Sequence, residues 1–401
     1  MVTAAGHLTY CTNIHRGENW KDHFDSIRSN FPFIKEKLSP AHTMGIGLRL
    51  SNEASLDLIK KENLSEFKTW LKEQDAYVFT MNGFPYGGFH DTVVKDRVHV
   101  PDWTTGQRAD YTLRLFHILA ALLPDGMDGG VSTSPLSYRL WHKTKEGLDN
   151  CTDNATQNVV HVIENLIRIH QSTGKLLHLD IEPEPDGLLE SGEEFIEWFE
   201  NDLLRLGVPV IKEKLKISGQ HAEDLIKEHL RLCYDVCHFA IGYEPHTAII
   251  SQLLGRGIKI GKIQISAALQ SKMDTTDRNS LKKNFENFNE PTYLHQVVAK
   301  TRDGKLLRYP DLPQALQQIH NPVFAEWRAH FHVPIFTEKF GLLSSTRDEI
   351  AEVLALQQSS GFTNHLEVET YTWEVLSPEL KLPVQDSIAR ELKWVIQLLD
   401  N

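Results

Sequence analysis

Strand-like and helix-like runs alternate along this chain eight times over. The strand-like runs are HLTYCTNIH (7–15), MGIGLRLS (44–51), AYVFTMNG (76–83), GGVSTS (129–134), KLLHLDIE (175–182), RLCYDVCHF (231–239), IKIGKIQIS (258–266) and HLEVETYTW (365–373). Stretches with apolar residues at helical spacing follow them, near 24–38, 53–73, 107–123, 154–171, 193–229, 245–254, 345–358 and 377–399. Ser191 ahead of Glu194 reads as a helix start, and Gly207, Gly255 and Gly361 read as stops. A strand that returns through a helix pairs in parallel with the next, and eight such units are the number that closes a parallel sheet into a ring. The sequence therefore predicts an α/β chain folded as a (β/α)8 TIM barrel, one domain over residues 1–401. A doubly wound open sheet is the competing architecture. It lacks a Gly-rich fingerprint after TYCTNIH, where a dinucleotide would need one, so no organic cofactor is expected.

The alternation breaks once, between Ser266 and Arg328, and residues 267–327 are read as a subdomain or lid inserted on the seventh βα connection. Within it VVAKTRDGKLLRY predicts a hairpin turning at Asp303-Gly304. Residues 271–310 carry eight Lys and Arg against five Asp and Glu, whereas the whole chain is −12. Such a lid would sit on the active-site face and could meet an anionic substrate; a solvated basic decoration is the plainer reading. The overall acidity, 54 Asp and Glu against 42 Lys and Arg, argues against nucleic acid as a partner, because phosphate backbones are held by Lys and Arg. Four cysteines are too few for a disulfide scaffold in 401 residues, no run of about 18 apolar residues occurs, and the first residues lack a signal-peptide pattern. These features predict a cytoplasmic protein with reduced thiols and no membrane insertion.

Catalytic groups of such barrels sit at the carboxyl ends of the strands. Those ends supply Asn13 and His15, Asn82, Ser132 and Ser134, Glu182 and Glu184, Asp235 and His238, Gln264 and Ser266, and Glu367 and Glu369. AHFHVPIF adds His330 and His332 from the segment before the eighth strand; spaced by two, they point the same way in extended backbone. In DIEPEPDG the prolines stiffen the turn that carries Glu182, although a solvated acidic turn is the bland alternative. Glu369 lies nearer the strand end than Glu367, which suits a supporting role. Carboxylates and imidazoles in this mixture suit a divalent ion such as Mn, Zn, Co, Fe or Mg. Cys233 and Cys237 have no second pair nearby and read as apolar filler rather than a zinc knuckle. Lys262 or Arg49 would be the cation for a substrate phosphate. Trp20, Phe84, Tyr86, Tyr371 and Trp373 are candidate pocket walls, and the pattern leaves open which of His15, His90, His221 and His246 approach the site.

Glu182 ending strand five, Asp235-x-x-His238 ending strand six and Glu369 ending strand eight resemble the xylose isomerase-like superfamily, which includes ketose epimerases, hydroxypyruvate isomerase and endonuclease IV. More narrowly, YCTNIHRGENW, CYDVCHFAIGYE, HFHVPIF and ETYTW resemble the EboE family, described as metabolite traffic or sugar-phosphate isomerase-like proteins encoded in gene clusters. The resemblance implies one metal ion held by Glu182, Asp235 and Glu369 with a fourth ligand from strand seven, where Gln264 stands in place of the usual histidine. It gives His238 a substrate contact in epimerases and a metal in endonuclease IV, and puts His330 and His332 where the nuclease supplies an Asp-x-His pair. The implied activity is isomerisation or epimerisation of a sugar, sugar phosphate or polyol, with Glu182 and Glu369 exchanging a proton across the barrel axis and His238 assisting. The alternatives are a metabolite carrier without turnover, working with partner proteins from the same gene cluster, and a metal-dependent hydrolase of small phosphodiesters. The nuclease's further histidines are missing, since strands three and four end in Asn82 and in Ser132 and Ser134.

Overall fold

The computed structural model describes residues 1–88, 94–274, 277–373 and 381–400. Seven parallel strands form in succession: β1 (Gly6–Tyr10), β2 (Met44–Arg49), β3 (Ala76–Asn82), β4 (Gly129–Thr133), β5 (Leu177–Ile181), β6 (Leu230–Asp235) and β7 (Ile260–Ile265). A second sheet intervenes, with strands β8 (Leu269–Lys272), β9 (Val297–Thr301), β10 (Leu306–Tyr309), β11 (Phe324–Ala329), β12 (Lys339–Phe340) and β13 (Leu343–Ser345). The last barrel strand, β14 (His365–Val368), then inserts between β1 and β7.

Backbone ladders link β1, β14, β7, β6, β5, β4, β3 and β2 in that order, leaving one seam between β1 and β2. Side chains close it. Thr9 Oγ1 donates to Gly45 O (2.9 Å) and accepts from Gly47 N (3.0 Å), and Thr12 Oγ1 accepts from Arg49 N (2.8 Å). Gly47 is required there, because a Cβ would stand 1.9 Å from Glu367 Oε2 and 2.7 Å from Tyr10 O. The result is a (β/α)8 barrel of mixed α/β structure.

Helices pack outside. The first, Trp20–Leu38, begins where Asn19 Oδ1 accepts from Asp22 N, and its buried stripe of Trp20, Phe24, Ile27, Phe31 and Ile34 has helical spacing. Two expectations change here. The long helical stretch at 193–229 is broken by a wide turn at Phe199–Leu203 and ends first at Leu215, with Lys216 left-handed, before Ser218 caps the next helix. Gly207 is no stop: it lies inside Leu204–Leu215, where a Cβ would come within 3.0 Å of Ile226 Cδ1, so it serves close packing. Gly361 ends its helix in the left-handed conformation, as a C-terminal glycine does. The final helix runs over Val384–Leu399; residues 377–380 of the expected stretch lie outside the described residues.

The second sheet is antiparallel, ordered β10-β9-β11-β8-β13-β12. The β9–β10 hairpin turns at Asp303-Gly304, with Gly304 left-handed (φ 84°). One face packs Phe324, Trp327, Phe285 and Tyr309 against the barrel-side core. Among the described residues no helix is long and apolar enough to cross a membrane.

Candidate functional site

At the carboxyl ends of the strands the backbone stops pairing and side chains turn over the barrel mouth. β6 ends at Asp235 rather than running to residue 239, because Asp235 caps a short helix, Val236–Ile241: its Oδ1 accepts from His238 N (3.1 Å) and from Ser266 Oγ (2.6 Å). That helix swings His238 back over Asp235, with Nε2 4.0 Å from Oδ2. β14 ends one residue before Glu369, whose Oε1 accepts from Asn13 Nδ2 (2.6 Å) and Asn82 Nδ2 (3.1 Å). Its Oε2 is 3.4 Å from His332 Nδ1. His332 and His330 follow β11 in extended backbone on one side, their rings 5.5 Å apart and each within 5.5 Å of the His238 ring. Glu182 Oε1 is 3.8 Å from His238 Nδ1. Round the ring β5 and β14 are three strands apart, with β6 and β7 between them, so Glu182 and Glu369 flank Asp235 rather than standing diametrically opposed.

These groups fit a cation. Asp235 Oδ2, Glu182 Oε2 and both ring nitrogens of His332 are buried without a hydrogen-bond partner among the described residues. The ring hydrogen bonds add a second reason. His238 Nδ1 donates to Pro183 O (2.9 Å), and His330 Nδ1 donates to Gln296 Oε1 (2.8 Å), an orientation fixed by Gln296 Nε2 donating to Pro185 O. Both Nε2 atoms of the neutral rings then carry lone pairs, yet they face each other at 3.1 Å. Only a positive charge between them, a proton or a metal ion, makes that contact favourable. Ligand atoms of Asp235, His238 and His332 lie within 4.8 Å of one another, as do those of Glu184, His238 and His330. Burial, then the charges of Asp235 and Glu369, pushes the Glu182 carboxyl well up; burial likewise raises Glu184. Burial alone would raise Glu369 too, but His332 outweighs it and holds that carboxyl below the usual range. Burial, then neighbouring imidazoles, drives His330 well down.

The pocket is lined by Glu182, Glu184, His238, His330, His332 and Glu369, with Asn13, Asn82, Phe84 and Tyr371 as further walls. Asp235 lies just beneath. Gln264 is fully buried between its ladder neighbours Asp235 and Glu367 and does not line the pocket. Other candidates go elsewhere. His15 meets Tyr10 Oη (3.0 Å), His246 joins Tyr234 and Glu349, His221 is exposed on an outer helix, and His90 lies outside the described residues. Trp20 stacks on Phe24, Tyr86 packs edge-on to Tyr111, and Trp373 is not a wall. Neither phosphate candidate is placed for that role. Lys262 Nζ is locked inside the barrel on Glu367 Oε1 (3.0 Å) and Ser132 Oγ (2.9 Å), and Arg49 is buried on Glu18 (3.2 Å) and Gly87 O (2.7 Å). Cys237, read as filler, has its sulfur within 4.8 Å of ligand atoms of His330 and His332. Sequence reasoning missed Lys95, His99, Tyr293 and Gln296. His99 Nε2 is 3.5 Å from Glu184 Oε1, and burial pushes its pKa down to about 3. These four come from a short 3-10 helix, Lys95–His99, and a loop at 293–296, joined where Val94 N and Lys95 N donate to Thr292 O, and periodicity says nothing about segments so short.

No protein-family model and no curated protein matches this chain. Solved structures do. A xylose isomerase-like TIM barrel protein from Mycobacterium smegmatis, in complex with magnesium, aligns over 100% of this chain and 98% of its own at 10% identity and a TM-score of 0.51. A protein from Anabaena variabilis assigned as a sugar phosphate isomerase/epimerase aligns over 98% of both chains at 12% identity and a TM-score of 0.51. At these identities the likeness establishes the xylose isomerase-like barrel as the fold.

Proposed function

We propose that the pocket binds a small hydroxycarbonyl compound, a sugar, sugar phosphate or related polyol, and isomerises or epimerises it by moving a carbon-bound proton between carboxylates. The observation that carries this reading is two carboxylates in one pocket with opposite surroundings. Glu369 is pinned at Oε1 by Asn13 and Asn82, whereas Glu182 keeps Oε2 without a hydrogen-bond partner among the described residues. Whichever Glu182 oxygen the ion does not take would accept a proton next to a substrate carbonyl, and Glu369, beside His332, would complete the return on the neighbouring carbon or opposite face. His238, its Nδ1 proton committed to Pro183, turns Nε2 toward the pocket and orients a substrate oxygen.

Glu182, Asp235, Glu369 and His332 would hold the divalent ion, with His238 and His330 able to join; Gln264, buried beside Asp235 with Oε1 lacking a hydrogen-bond partner among the described residues, is a further candidate from the seventh barrel strand. Bound there, such an ion supplies Lewis-acid polarisation of a carbonyl oxygen. The magnesium of the Mycobacterium smegmatis barrel is in keeping with this. Lys95 is the sole Lys or Arg among the described pocket walls, and its Nζ already pairs with Asp311 (2.7 Å), which favours a neutral sugar or polyol over a phosphate ester or nucleic acid. Glu182→Gln and Glu369→Gln should each slow solvent-deuterium incorporation into a turned-over sugar by about 10²–10⁴-fold. Unchanged exchange in both variants excludes the role.

The EboE resemblance extends the proposal to a metabolite traffic pathway. A carrier without turnover is the second reading, favoured by the strand-seven histidine's replacement with a buried Gln264. Tight retention of a ligand with no exchange of its hydrogens would select it. Phosphodiester hydrolysis is less well supported, since Asn82 and Ser132, standing where the nuclease needs histidines, are committed to Glu369 and Lys262.

A further inference from the structure

At the other end of the barrel, below the layer formed by Lys262 and Glu367, a second group of ligating side chains converges that the proposed chemistry does not use. Asp128 immediately precedes β4, His178 is the second residue of β5 and His365 the first of β14. Asp128 Oδ1 is 3.3 Å from His365 Nε2, and Oδ2 is 3.6 Å from His178 Nε2. One ligand atom from each lies within 4.8 Å of those of the other two. Both imidazoles are fully buried, while Asp128 is 17% exposed.

The hydrogen bonding around these rings is incomplete in one direction. His178 Nδ1 donates to Asp180 Oδ1 (2.6 Å), so the neutral ring carries its lone pair on Nε2, toward Asp128. That Nε2 and both ring nitrogens of His365 lack a hydrogen-bond partner among the described residues. Two buried imidazoles whose unpaired nitrogens face a shared carboxylate are stable when a cation sits among them. The barrel is also cut to fit the pair that aims His178. A Cβ at Gly261 of β7 would lie 1.9 Å from Asp180 Oδ1, and one at Gly130 of β4 would lie 2.5 Å from both Asp180 Oδ2 and His178 Cε1. Neither glycine has a left-handed backbone that would otherwise explain it.

We infer that Asp128, His178 and His365 bind a divalent ion of the zinc type on the barrel floor, with Asp180 orienting His178. Two imidazoles and one carboxylate select zinc, cobalt or nickel over magnesium or calcium, which prefer all-oxygen sites. Arg231 Nη1 holds Asp128 Oδ2 (2.8 Å) and its own charge is shared with Glu228 (3.1 Å), so the carboxylate is steadied with Oδ1 toward His365. A surface cavity bounded by Asp128, Arg231, Lys259, Thr363 and Asn364 gives the ion a way in from solvent. Bound there, it ties β4, β5 and β14 together at the end remote from the proposed substrate pocket.

The test is zinc and cobalt uptake by chelator-stripped protein, followed by titration calorimetry and by the visible absorption of bound cobalt. Wild type, His365→Gln, Asp128→Asn and Glu369→Gln are compared. His365→Gln and Asp128→Asn should each abolish one equivalent or weaken it at least tenfold. The rise in melting temperature that zinc confers through this site should disappear with it, while Glu369→Gln leaves it intact. Asp128 is partly exposed and its Asn isostere should fold even where His365→Gln does not. A wild-type chain that takes up no zinc overturns the inference, and so does a folded Asp128→Asn chain whose zinc stoichiometry and affinity equal the wild type's. Because the readout is the equivalent lost in floor variants, it is independent of what the upper pocket holds.

Discussion

Glu391 shows how a single buried residue ties stability to pH. It sits on the helix Val384–Leu399, is 2% exposed, and its Oε1 accepts from Ile335 N and Thr370 Oγ1, each at 2.9 Å. Burial outweighs those bonds and pushes its pKa from 4.5 up to about 8. Between these values the folded chain keeps a proton that the unfolded chain has lost, so this residue's contribution to stability is full at low pH and declines as pH rises through the window. Glu391→Gln should flatten that decline, worth on the order of several kcal/mol, in denaturant melts at a series of pH values. A slope identical to wild type would show that Glu391 ionises normally. At this scale the sequence carried the strand-end residues, because the barrel topology alone puts Glu182, Asp235 and Glu369 at one mouth. Partners were another matter. Asn13 meets Glu369 across 356 positions, and no local pattern encodes a contact of that separation. His99 was invisible for the same reason, lying on a segment without periodicity.

Among the elements, the β1–β2 seam is where the barrel depends on side chains instead of a ladder. Thr9 Oγ1 serves both Gly47 N and Gly45 O, beside a single backbone bridge between Cys11 and Gly47. Thr9→Val keeps the volume but leaves a buried N–H unsatisfied, so it should destabilise the fold by about 1–3 kcal/mol in chemical denaturation. An unchanged midpoint would mean the backbone bridge at Cys11 and Gly47 suffices. Strand existence was legible throughout, but ends were not. CYDVCHF, mostly apolar with no break signal inside it, reads as one strand until the Asp235 carboxylate is seen capping Val236–Ile241. The break at Phe199–Leu203 likewise has no Gly or Pro to mark it in the sequence.

Across the molecule, the barrel interior is a polar column: Asp128, His178 and His365 at the floor, Lys262 with Glu367 and Ser132 in the middle, and the carboxylate and imidazole cluster on top. Lys262 and Glu367 are both fully buried, and Glu367 holds the opposite charge where no water reaches. Lys262→Met leaves that carboxylate uncompensated and should destabilise by about 3–5 kcal/mol, while adding Glu367→Leu should recover part of the loss. Equal stability of single and double variants would contradict the pairing. The eightfold alternation made the barrel readable from sequence, since each βα unit is local. The second sheet was only partly readable. Its hairpin has a local turn signal, but the pairing of β11 with β8 and of β8 with β13 joins distant segments. Three of its basic residues have partners of their own, in keeping with the plainer reading of a basic decoration: Arg308 pairs with Glu190, Lys305 with Asp303, and Lys300 lies over Tyr243.

The most direct test of the metal-holding pocket is anomalous diffraction from crystals soaked in manganese or zinc. The expected result is a peak about 2.0–2.3 Å from Asp235 Oδ2 and from the nearest His332 nitrogen, with Glu182 and Glu369 oxygens completing the shell. Saturating metal with no peak among these four residues would contradict the proposal, whatever ion binds elsewhere on the chain.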